Sequence, residues 1–133
     1  MAKYVYPAII IPEESGLYTV IFPDLSGCYT SGDDLTDALY MAEDVLSFTL
    51  FGLEKDSIVI PTPSSKLDLS LYPKGSFINY IACDTLEYQK RNNNRAVKKT
   101  LSIPEWLNEM AMNAGLNFSQ VLQEALKTKL GIH

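Results

Sequence analysis

The apolar positions change period along the chain, and each change marks an element. Tyr4 to Ile11 is a run of Tyr, Val, Ala and Ile around Pro7, closed by Pro12-Glu13-Glu14-Ser15-Gly16. A second run, Leu17 to Phe22, starts directly after those residues and stops at Pro23-Asp24. Two such runs around a short Gly-containing turn predict a β-hairpin. Apolar residues at almost every position, rather than at alternate ones, predict strands covered on both faces. A short third strand is expected through Cys28, Tyr29 and Thr30, after the turn Asp24-Leu25-Ser26-Gly27. The period then lengthens. Leu35, Ala38, Leu39, Ala42, Leu46, Thr49, Leu50 and Leu53 follow steps of three and four, which predicts an amphipathic helix. Asp33 or Asp34 caps it, and Asp34 and Asp37 sit where a helix N-terminus favours negative charge. Asp56 to Lys74, with Pro61, Pro63, Ser64, Ser65 and Pro73, reads as a crossing loop. Phe77 to Tyr88 is expected as a last long strand, with Phe77, Ile81 and Cys83 on one face and Ile78, Tyr80, Ala82 and Leu86 on the other.

Gln89 to Arg95 is polar throughout, with Asn92-Asn93-Asn94 at its centre. A domain boundary is expected there, dividing the chain into residues 1–88, a linker 89–95, and residues 96–133. The last segment is too small to enclose a core alone, so it needs a partner. Its Val97 to Ile103 strand signal places Val97, Lys99, Leu101 and Ile103 on one face and Lys98, Thr100 and Ser102 on the other. Pro104 suits a first helical position, with Glu105 in the first turn. Leu107, Met110, Ala111 and Ala114 form a helical stripe that Gly115 ends. Asn117 with Gln120 resembles a capping box, opening a second helix with Phe118, Val121, Leu122, Ala125, Leu126 and Leu130 on its apolar side.

Composition narrows the class. With 47% apolar and 20% charged residues the chain is globular rather than disordered. No apolar run reaches the ~18 to 20 residues that span a bilayer, and no leader pattern is visible, so a cytoplasmic protein with no membrane role is expected. Cys28 and Cys83 have no ligand spacing, and the single histidine is His133. Disulfides, metals, cofactors and histidine catalysis are therefore not expected, and both thiols are read as buried and reduced. The net charge of −5 is unevenly spread. Residues 1–88 hold four lysines against thirteen acids, a net −9, and residues 89–133 hold seven cations against three acids, a net +4. An acidic body with a basic tail points to two partners of opposite charge.

A lone strand cannot satisfy its own backbone groups. Antiparallel pairing with the same strand of a second chain, over four helices, solves this and yields a ribbon that fits the major groove of DNA. Residues 95–131 in this order resemble the ribbon-helix-helix repressor family. The resemblance implies that Lys98, Thr100 and Ser102 read bases, and that amides around Asn117, Phe118 and Ser119 clamp a phosphate. Arg95 is placed on the DNA backbone as well. Leu101, Ile103, Trp106, Leu107, Val121 and Leu122 are assigned to the dimer core. Lys99 departs from the pattern, because it lies on the apolar face.

Phe22-Pro23-Asp24-Leu25-Ser26-Gly27-Cys28, Thr30-Ser31-Gly32-Asp33, Leu35 and Ala38 resemble the HicB antitoxin family, as do Tyr6-Pro7-Ala8 and Gly16-Leu17-Tyr18-Thr19-Val20. That resemblance implies an α+β protein: a HicB-like, partial RNase H-like βββαβ domain followed by a ribbon-helix-helix tail. It also implies a non-enzymatic antitoxin of a toxin–antitoxin system. Such a protein binds and blocks a HicA-like toxin, a small basic mRNA-cleaving ribonuclease, and represses its own operon on double-stranded operator DNA. A homodimer through residues 96–133 is implied, with contacts between N-terminal domains able to build a tetramer. Two other readings stay open. One is a stand-alone transcription regulator whose first domain oligomerises or senses a ligand. The other is a metal-dependent nuclease using Asp24, Asp33, Asp34, Asp37 or Asp84, which would have to converge on metal ions.

Overall fold

The computed structural model describes residues 2–132 and divides into two compact units, residues 1–95 and 96–133. In the first unit, β1 (Lys3–Pro12), β2 (Tyr18–Ile21) and β3 (Tyr29–Gly32) precede the long helix α1 (Leu35–Lys55). A single 3-10 turn (Leu69–Leu71), β4 (Phe77–Asp84) and α2 (Thr85–Asn92) follow. The sheet is antiparallel throughout, in the order β3-β2-β1-β4. Ile10 of the central β1 lies between Val20 of β2 and Phe77 of β4.

Six consecutive residues of β1, Tyr6 to Ile11, are buried, as a strand covered on both faces requires. Tyr6, Ala8 and Ile10 join Val20, Phe22, Ile81 and Cys83 under Ala38, Ala42, Leu46 and Leu50 of α1. The small Ala38 and Ala42 let the helix backbone come close to the sheet. Gly32 shows how close: a Cβ there would sit 2.2 Å from the Ala38 nitrogen. On the opposite face Pro7 shares a cleft with Ser64, Ser65 and Leu67 of the crossing loop. That loop is fastened at two points. The Tyr6 hydroxyl donates to the Pro61 carbonyl, and Asp24 accepts both the amide (2.8 Å) and the hydroxyl of Ser64. β2 departs from expectation, since only Val20 is fully buried and its neighbours are half-buried.

The expected long strand to Tyr88 is cut short. Asp84 ends β4 and accepts from the amides of Leu86 (2.9 Å) and Glu87 (3.4 Å), an N-cap that turns the chain into α2. Leu86 and Tyr88 therefore belong to a helix, where Tyr88 stacks at a tilt on Phe51 of α1. Residues 89–92, read as linker, are the last turn of α2. This also moves the charge boundary. Lys90, Arg91 and Arg95 fall in the first unit, which is then −6, leaving the second at +1.

The second unit contains α3 (Glu105–Asn113) and α4 (Phe118–Leu130). Pro104 stands at the N-cap of α3 rather than inside it. Gly115 (φ +70) closes α3, with its amide on Met112 and that of Leu116 on Ala111. These paired bonds are the Schellman arrangement that glycine permits. Asn117 caps α4 through the Gln120 amide at 3.1 Å. The reciprocal half of the capping box is absent among the described residues, because the Gln120 side chain reaches Glu124 instead. Residues 97–103 carry no strand assignment. Among the described residues their own unit offers only helices, so no ladder forms within it.

Candidate nucleic-acid and protein interfaces

None of the described residues from 96 to 132 is buried. The apolar stripes of α3 and α4 instead face an open groove of about 590 Å³. Leu101, Ile103, Leu107, Val121 and Leu122 line it. Trp106 does not line it, although it was grouped with those five, and projects 63% exposed from α3. Its position on the helix explains the difference, since Leu107 and Ala111 occupy the groove-facing side, four residues apart. Leu116 and Phe118 complete the wall. Lys99 stands in the groove beside Leu101 and Ile103, so the alternation places a cation among apolar side chains.

Lys98, Thr100 and Ser102 are exposed and lie outside the groove. Phe118 and Ser119 line the groove, and their amides belong to the first turn of α4, where a helix has no acceptors of its own. Arg95 is exposed and closes the first unit. The structure thus gathers five of the six apolar candidates in one groove and leaves Lys98, Thr100 and Ser102 exposed outside it.

The carboxylates of the first unit are taken up by local structure. Asp34 caps α1 through the Asp37 amide (2.8 Å), and Asp37 accepts from the Asp33 amide (2.9 Å). Asp24 holds Ser64, and Asp84 caps α2. Among the described residues no three acids, cysteines or histidines are grouped as metal ligands. The converging carboxylates that the nuclease reading requires are not found there. Asp68 is held below the usual carboxylate range by the hydroxyl and amide of Ser70.

Burial raises both thiols, and the Cys83 thiol reaches about 11 despite the opposing hydrogen bond from Ser47. Such thiols are poor nucleophiles at neutral pH. Burial, followed by its hydrogen bond to Glu54 (2.7 Å), pushes the Tyr4 hydroxyl to about 12. Tyr4 and Cys83 pack between β1, β4 and α1, and Cys28 packs against Val45 and Thr49 of α1.

Sequence reasoning missed the outward side of α1. Tyr40, Met41 and Phe48 are exposed there, interleaved with Asp37 and Asp44. The signal was available in the set Asp37, Tyr40, Met41, Asp44 and Phe48, linked by steps of three and four along a helix whose apolar stripe lies elsewhere.

A four-stranded antiparallel sheet backed by a long helix, followed by a two-helix unit with an open apolar groove, defines an α+β architecture. Known proteins share it. The family model of HicB-like antitoxins of bacterial toxin–antitoxin systems matches residues 6–125. Antitoxin HicB 1 of Photorhabdus laumondii subsp. laumondii is 32% identical over 100 residues, 71% of this chain. The match spans 64% of that protein's length, just under two thirds. A chain of a toxin–antitoxin complex from Streptococcus pneumoniae superposes with a TM-score of 0.61 at 29% identity, covering 96% of this chain and 99% of that one. The crystal structure of antitoxin HicB3 gives 0.52 at 26% identity, covering 95% and 97%. This chain belongs to the HicB-like antitoxin family. Among the described residues no helix is long and apolar enough to cross a membrane.

Proposed function

We propose that this chain is the non-enzymatic antitoxin of a cytoplasmic HicA–HicB pair. Its first unit binds and blocks a HicA-like mRNA-cleaving ribonuclease. Its second unit dimerises as a ribbon-helix-helix and represses the operon. The observation that carries this reading is the open groove of the second unit. A unit in which none of the described residues is buried, and which carries a wall of Leu, Ile, Val and Phe, is stable only when a second surface closes over it. A second copy supplies the same apolar wall and a complementary strand, which leaves Lys98, Thr100 and Ser102 of both chains on one ribbon.

The net −6 of the first unit supports a cationic partner, because opposite charge steers encounter and like charge excludes RNA. The test uses a HicA-like protein, sought in the reading frame beside this gene, and a duplex of the promoter upstream of it. The full chain should bind both. Truncation after Arg95 should abolish promoter binding and keep toxin binding, with weaker overall retention through lost avidity. A truncated unit that folds but releases the toxin would show that the second unit is part of the toxin site.

A further inference from the structure

We propose that the outward face of α1 is the docking surface for the cationic protein partner of the first unit. The inference rests on the antitoxin reading and adds to it the location of the contact. At 100° per residue, Asp37, Tyr40, Met41, Asp44 and Phe48 fall within one sector of about 100°, opposite Ala38, Ala42, Leu46 and Leu50 in the core. From Asp37 to Phe48 the stripe is roughly 16 Å long at 1.5 Å per residue. Tyr40 is 71% and Phe48 64% exposed, with Met41 exposed between them.

A helix covering a sheet normally turns polar residues to water on its far side. Here two aromatic rings and a methionine stand in that position, and these are side-chain types enriched in interface cores. Scattered single apolar residues on a surface mean little, but a contiguous set on one helical face marks an interaction site.

Charge decides among occupants. Asp33, Asp34, Asp37 and Asp44 all belong to α1 or its cap, and no lysine or arginine appears between residues 4 and 54. A second copy of this face would bring like charges together, and nucleic acid or an anionic membrane would be repelled in the same way. A cationic protein surface meets no such penalty. Its lysines and arginines would pair with the carboxylates while its apolar groups cover Tyr40 and Phe48, as when a helix face fills a groove.

The experiment measures binding of the full chain to the HicA-like protein of the same test. Tyr40→Ala and Phe48→Ala should each weaken it by 10-fold or more, since buried aromatics dominate interface energies. Asp44→Lys should slow association and flatten its salt dependence. Tyr80→Ala, 61% exposed on the sheet, serves as the control and should change affinity less than twofold. Promoter binding should be unchanged in all four. If the three α1 variants bind the toxin like the wild-type chain, the docking assignment is wrong. If they instead alter oligomeric state with toxin affinity intact, the face is a contact between copies. No binding by the wild-type chain overturns the antitoxin reading itself, and the docking assignment with it.

Discussion

Leu101 and Trp106 are equally exposed within one chain, at 63% each, yet only Leu101 lines the groove of the second unit. Truncating each to alanine therefore separates exposure from function. Full burial of a leucine side chain is worth about 1.5 to 3 kcal/mol. Since about two thirds of Leu101 stays in water until a second copy arrives, association gains roughly 1 to 2 kcal/mol from it per chain. A two-fold interface counts each change twice, so Leu101→Ala should cost about 2 to 4 kcal/mol of dimer stability. At 1.4 kcal/mol per decade this is roughly a 30- to 700-fold rise in the dimer Kd. Sedimentation equilibrium of the full chain over a dilution series measures it. Trp106→Ala should move the Kd less than threefold, although it removes the larger side chain. Equal weakening by both substitutions, or a larger effect at Trp106, would refute the groove as the seat of association.

Three further outcomes are expected. Gly32→Ala forces a methyl group against backbone atoms of α1 that cannot step aside, the nearest at 2.2 Å, so it should lose about 3 kcal/mol or more. Urea unfolding would register that loss, and a Cm within error of wild type would contradict the packing. Stability should fall on the alkaline side. Cys83 and Tyr4 fold in protonated forms, so their contribution is complete below pH 9 and is lost as pH climbs to about 11 for the thiol and about 12 for the phenol. Cys83→Ala should flatten the decline of Tm between pH 9 and 11. Lys98→Ala and Thr100→Ala should weaken promoter binding by about 1 to 3 kcal/mol each, with dimer Kd and toxin affinity unchanged in the same preparations.

What could be read in advance follows from where the physical signal resides. The buried run at Tyr6 to Ile11 and the α1 stripe were legible because hydrophobic period is a local property. Asp34 and Asn117 were legible as caps for the same reason. The β4–α2 junction was not. Leu86 and Tyr88 continue the alternation of a strand, and the single contrary sign was Asp84, with Glu87 three residues on. That Trp106 lies outside the groove was not legible, because helical spacing gives a face only relative to a neighbour, and the neighbours here are α4, Leu101 and Ile103. Reading α1 only for its core stripe hid Tyr40 and Phe48, which carry no packing role. The Asp24–Ser64 contact joins residues 40 apart and leaves no local trace. The strand expected at 97–103 carries no assignment, and the pairing proposed for it needs a second chain.

Amide hydrogen exchange across residues 97–103, followed over protein concentration, tests the need for a second copy most directly. Protection in this segment should rise with concentration in step with dimer formation, and Leu101→Ala should shift that rise to higher concentration. Exchange as fast as that of the neighbouring residues 94–95 at every concentration would mean that no ribbon forms, and that the second unit finds its partner in some other way.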